Sequence, residues 1–148
     1  MIASLAERIL EEMADAVIYA DRSGTILRWN QAAALLFGHS AAEAIGQNLD
    51  LIVPEHLRAG HWRGFDAAMS RGTLSLEGRP TLTRALHKDG RKLYVEMTFA
   101  LVTDDVDGKS LGSVAVARRD RARRARAGCR SPPVNGRRSS GRRGSRRA

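Results

Sequence analysis

The residues of this chain best suited to chemistry are four histidines and one cysteine, and their placement narrows what they can do. In the run Pro54-Glu-His-Leu-Arg-Ala-Gly-His61, the second histidine belongs to a helical pattern of Leu57, His61, Gly64, Phe65, Ala68 and Met69. That spacing puts them on one helix face and aims an imidazole and an aromatic ring the same way. The plainer reading of His61 is a packed or capping side chain. His56, one turn earlier, reads as exposed near the helix start, and His39 and His87 fall at loop and strand ends. No His, Asp and Glu spacing fits a zinc or non-haem iron site. Asp104, Asp105 and Asp107 cluster in a turn, but the bidentate Glu that a calcium loop needs at its twelfth position is missing, so a solvated hairpin loop is expected. Gly108-Lys-Ser110 lacks the upstream glycine and strand-to-helix setting of a phosphate loop. With no nucleophile elbow and no Ser, His and Asp set, the chain reads as a non-enzyme.

Charge divides the chain in two. The formal charge of the 148 residues is +9, yet residues 118–148 hold 13 of the 25 basic side chains and one acid, Asp120. The tail is therefore +12, and the body, with 12 basic and 15 acidic residues, is −3. A folded nucleic-acid-binding face needs clustered cations, which the body lacks. Cys129 is alone and in the tail, so a disulfide framework and a thiolate cluster are both excluded and a reducing compartment fits. No apolar run approaches the ~18 residues that span a bilayer. Glu7, Glu11 and Glu12 stand where a signal peptide would be positive, and a cytoplasmic location is expected.

The elements that must position His61 follow from local patterns. Ile2, Leu5, Ile9, Leu10 and Met13 recur at helical spacing and predict an amphipathic helix over residues 1–13. Residues 16–21 and 25–29 are strand-like runs joined by Asp21-Arg-Ser-Gly24, a hairpin. Asn30 caps a short helix that Gly38 stops, and Trp29 is expected at a sheet edge, so both read as structural. A second short helix starts at Ser40 and ends at Gly46. Pro54 opens a longer helix, carrying His61, that Gly72 terminates. Strand-like segments over 80–87, 92–102 and 111–117 close the domain, joined by turns bearing Asp89-Gly90 and Asp107-Gly108. The order, two strands, helices, three strands, predicts an α+β domain with helices over one face of an antiparallel sheet. Residues 118–148 collapse to Arg, Ala, Gly, Ser and Pro and are expected to be a disordered tail beyond a domain of residues 14–117.

Several strings together resemble PAS domains of the S-box type: Asp15-Ala-Val-Ile-Tyr-Ala-Asp-Arg-Ser-Gly24, Ile26-Leu-Arg-Trp-Asn-Gln-Ala-Ala33, Leu36-Phe-Gly38, Glu43-Ala-Ile-Gly46, Leu51-Ile-Val-Pro-Glu55 and Lys88-Asp-Gly90. The resemblance implies a PAS fold, a five-stranded antiparallel sheet with helices over one face enclosing a cavity, used for ligand sensing and signal transduction as in two-component systems. Flavin photosensory members carry a reactive cysteine on a helix inside the domain, and Cys129 does not match it. The Pro54-to-His61 string is similar to the oxygen-sensing haem PAS domains of rhizobial sensor kinases. That similarity implies haem b as cofactor, His61 as axial ligand of the haem iron, Leu57, Phe65 and Met69 along the haem edge, and Met97 and Phe99 above a bound gas. Met97 is also placed to act as a sixth ligand. The chain departs from that group at Gly64, where an aromatic is usual, and at Ala67, where an arginine is usual. Arg79 and Arg84 flank the position of the gas-contacting arginine without matching it.

The resemblance further implies a homodimer built on the N-terminal helix and outer sheet face, and a signalling partner or output domain. A ligand-free PAS domain serving only protein association is the alternative. The Arg-rich tail would bind nucleic acid only non-specifically, by charge. It also departs from the family after Arg119-Asp120, where a hydrophobic residue and a coiled-coil linker are usual, and so reads as the truncated or frameshifted end of a larger signalling protein.

Overall fold

The computed structural model describes residues 2–74 and 78–120. Helix α1 (Leu5–Glu12) starts from a reciprocal capping box: the Ser4 hydroxyl accepts from Glu7 N–H, and the Glu7 carboxylate accepts from Ser4 N–H. Strands β1 (Ala16–Asp21) and β2 (Ile26–Trp29) form the first hairpin. At its turn Asp21 Oδ1 accepts from Ser23 and Thr25 N–H, and Gly24 takes a φ of 79° that a side chain would resist. Helices α2 (Gln31–Phe37) and α3 (Ala41–Ala44), 3₁₀ turns at Leu49–Leu51 and Glu55–Leu57, and helix α4 (Arg58–Arg71) follow. Strands β3 (Thr81–Leu86), β4 (Lys92–Thr103) and β5 (Ser110–Arg119) complete a five-stranded antiparallel sheet in the order β2-β1-β5-β4-β3. This is the α+β architecture expected from the sequence.

Strand alternation sorts the sheet into two faces. Ile18, Ala115, Ala117, Val95 and Met97 turn inward and join Phe37, Leu49, Ile52, Phe65 and Met69 from the helical segment in one buried cluster. Asn30 ties the hairpin to that layer. Its Oδ1 accepts from Ala33 N–H at 3.0 Å, capping α2, and from Val17 N–H at 2.9 Å. Its amide donates to the carbonyls of Leu10 and Asp15. Because it is only 4% exposed, these four bonds also satisfy a side chain that would otherwise be costly to bury.

Three local expectations differ from the structure. The long helix begins at Arg58 rather than Pro54, because the Arg58 side chain folds back to donate to the carbonyls of Val53 and Asp50, holding residues 55–57 in a tighter 3₁₀ turn. Trp29 is on an edge strand, yet its ring turns into the core at 3% exposure and its indole N–H donates to the His39 carbonyl at 3.0 Å. Strand β5 runs two residues past 117, since Glu96 pairs with Arg118 along the ladder and their side chains form an ion pair. The rest of the predicted tail, residues 121–148, lies outside the described residues.

Candidate functional site

Between α4 and the inner face of the sheet is a cavity of about 440 Å³. Leu57, His61, Phe65 and Met69 line it from the helical side, and Met97 and Phe99 from β4. All six residues singled out in the sequence therefore meet in one space. Phe65, Met69 and Met97 are buried, His61 and Phe99 half-buried, and Leu57 stands at the exposed margin. Gly60 and Gly64 flank His61 on the same wall, and a methyl group at Gly64 would touch nothing. Where an aromatic is usual, this chain leaves open space beside the imidazole.

Aromatic rings pack against His61, and a hydrogen bond fixes one of them. Its ring centroid is 5.0 Å from Trp62 and 6.1 Å from Phe65, and Trp62 packs edge-on to Phe65 at 5.3 Å. Trp62 donates its indole N–H to Asp50 Oδ1 at 2.8 Å, which anchors the first turns of α4. Burial lowers the His61 pKa below the ordinary imidazole value, with Asp50 and Asp66 opposing that shift weakly. The imidazole is therefore neutral near pH 7, the form that binds metals. Its Nδ1 is enclosed and has no hydrogen-bond partner, and among the described residues only Ser110 Oγ shares that condition. An enclosed orphan of this kind costs about 1–3 kcal/mol.

The sheet contributes residues that local sequence patterns do not reveal. Thr83 on β3 and Ser113 on β5 bring hydroxyls to the wall, alongside apolar Ile18, Leu101 and Ala115. Ser113 is opposite Ala20 and Leu101 only because two ladders set that register. Arg84 also borders the cavity, but the residue is exposed and its guanidinium lies 5.9 Å over the Tyr94 ring. His56 is exposed, as expected. His87 accepts from Asp89 N–H through Nδ1 at 3.1 Å, and its ring covers Gly38. The aspartates of the last hairpin are committed to its turn: Asp104 accepts from Val106 and Asp107 N–H, and Asp107 from Lys109 N–H. No helix among the described residues is long and apolar enough to cross a membrane.

A helix packed over an antiparallel sheet is what the sequence resemblance implied, and comparison with known proteins agrees on that fold. The oxygen sensor protein DosP of Escherichia coli is 28% identical over 100 residues, covering 68% of this chain and 12% of DosP. The sensor protein FixL of Bradyrhizobium diazoefficiens is 45% identical over 53 residues, covering 36% of this chain and 10% of FixL. The chain thus spans a small fraction of the curated relatives it matches. The crystal structure of a PAS domain from Colwellia psychrerythraea superposes with a TM-score of 0.66 at 22% identity, covering 78% of this chain and 93% of that domain. Residues 4–119 match the family model described as PAS fold, and the chain belongs to the PAS family.

Proposed function

We propose that this PAS domain is a non-catalytic sensory module that holds haem b in the cavity under α4, with His61 as the axial ligand. Ligand-dependent changes there would pass to a signalling partner or output domain. The observation that carries the reading is the setting of His61: a neutral imidazole on the wall of an apolar cavity, with Gly64 leaving open space on the same wall. Leu57, Phe65, Met69, Met97 and Phe99 supply the apolar surround that a porphyrin needs. The similarity to a protein named as an oxygen sensor supports the same reading. When bound, haem would supply an iron centre with a position for a gas. This chain's own residues orient the ring, exclude water and hold the imidazole neutral.

The test is an absorption spectrum. Protein expressed with haem precursor is expected to show a Soret band that His61→Ala loses and added imidazole restores. A colourless wild-type protein, or a band unaffected by His61→Ala, overturns the proposal.

A second reading, a dimerisation role, is favoured by α1. None of its residues is buried, and Leu5, Ile9 and Met13 leave an apolar stripe in solvent, Leu5 at 76% exposure. Sedimentation of wild type against Leu5→Glu/Ile9→Glu tests it: a dimer that becomes a monomer supports association through α1, and identical masses refute it.

A further inference from the structure

Resting on the haem reading of this cavity, we infer that the site is selective for nitric oxide over dioxygen. Two independent features of the chain carry the inference, one on each side of the cavity.

The first is the unsupported imidazole. In iron-ligating histidines, an acceptor on the nitrogen that does not bind the metal raises ligand basicity and fixes the ring. His61 Nδ1 is enclosed and lacks such an acceptor, which leaves Nε2 as the nitrogen that would face iron. The nearby carboxylate of Asp50 is already engaged by Trp62 Nε1 at 2.8 Å and approached by Arg58 Nε at 3.9 Å. An imidazole without that support is a weak electron donor and makes a weak bond. Nitric oxide carries an unpaired electron that weakens the bond opposite it, more than dioxygen or carbon monoxide does. A weakly held His61 is therefore the ligand that nitric oxide would detach, freeing α4 at that point.

The second is the opposing wall. Ile18, Met97, Phe99, Leu101 and Ala115 face the cavity from the sheet without an N–H donor. The Arg84 cation is directed instead to the Tyr94 ring. Thr83 and Ser113 offer only neutral hydroxyls, weaker partners for charge than a guanidinium. Dioxygen on ferrous iron draws negative charge onto its outer atom and is retained where donors meet that charge, whereas nitric oxide and carbon monoxide need no such donor.

The experiment uses the haem-loaded wild-type chain, reduced under argon. With nitric oxide, the electron paramagnetic resonance signal is expected to lack coupling from a second axial nitrogen, showing loss of His61. In air, the ferrous protein is expected to oxidise to ferric without accumulating an oxygenated spectrum, while carbon monoxide gives a stable adduct. Met97→Gln, which places an amide donor on the wall, is expected to slow that oxidation at least tenfold. A retained second nitrogen, or a stable oxygenated spectrum in wild type, overturns the selectivity while the Soret band leaves the haem reading intact. Absence of any Soret band overturns both.

Discussion

Replacing Asn30 by alanine should destabilise this domain more than any other removal of a helix cap, and the structure gives the size of the loss. Ala33 N–H loses its cap, which costs about 1 kcal/mol. Val17 N–H, in a residue only 3% exposed, loses its bond to Asn30 Oδ1, adding about 1–3 kcal/mol for a buried donor left unsatisfied. The Leu10 and Asp15 carbonyls are nearer the surface and regain water, so they add little. The sum is about 2–4 kcal/mol, a large share of the ~5–15 kcal/mol that holds a domain together. Asn48 is the internal control: it makes one comparable bond, to Asp50 N–H at 2.8 Å, at an exposed turn, and Asn48→Ala should cost less than about 1 kcal/mol. Urea unfolding followed by circular dichroism, with unchanged denaturant slopes, measures both. A loss below about 1 kcal/mol for Asn30→Ala, or one equal to that of Asn48→Ala, would refute the claim that burial makes the difference.

Other expectations follow from positions already described. Gly24→Ala combines an unfavourable φ of 79° with a methyl that would overlap the Trp62 ring. It should cost more than Gly46→Ala, where φ is 91° but nothing is within 4 Å, and only Gly24→Ala should shift tryptophan emission. Equal losses would remove the argument from contact. His61 has a folded pKa below its unfolded value, so between the two the unfolded chain binds more protons. Stability without cofactor should therefore be full above the ordinary imidazole pKa and fall as pH drops below it. His61→Gln should flatten that limb in thermal melts across pH 5 to 8 if the argument from His61 burial holds.

What could be read from sequence alone follows the range of the interactions. The Asp-Gly turns at Gly90 and Gly108, the Asn30 cap and the Gly38 and Gly72 helix ends are set within a few residues, and the structure has each of them. The shared helix face of His61, Phe65 and Met69 was equally legible, since a period of 3.6 residues fixes it. Ser113 and Thr83 were not, because their place at the cavity depends on pairing with strands distant in the chain. Trp62 is the clearest omission: its partner Asp50 is 12 residues away, across a proline and a 3₁₀ turn, and no local rule joins them. The start of α4 shifted for the same reason, since Pro54 permits a helix there but the Arg58 side chain decides otherwise.

Asp50 also fixes how force would travel through the domain. In mechanical terms α4 is a beam whose near end is pinned at one point, with Arg58 and Trp62 both bound to Asp50 and His61 lying between them in the chain. His61 touches that pin through the Trp62 ring, 5.0 Å away. From Asp50 the stiff route continues through Leu49, whose N–H is bonded to the Gly24 carbonyl at 3.0 Å, and through the bridge between Asn48 and Thr25. The load path therefore passes through Leu49, at the margin of the buried cluster, and ends in the β1–β2 hairpin at one edge of the sheet.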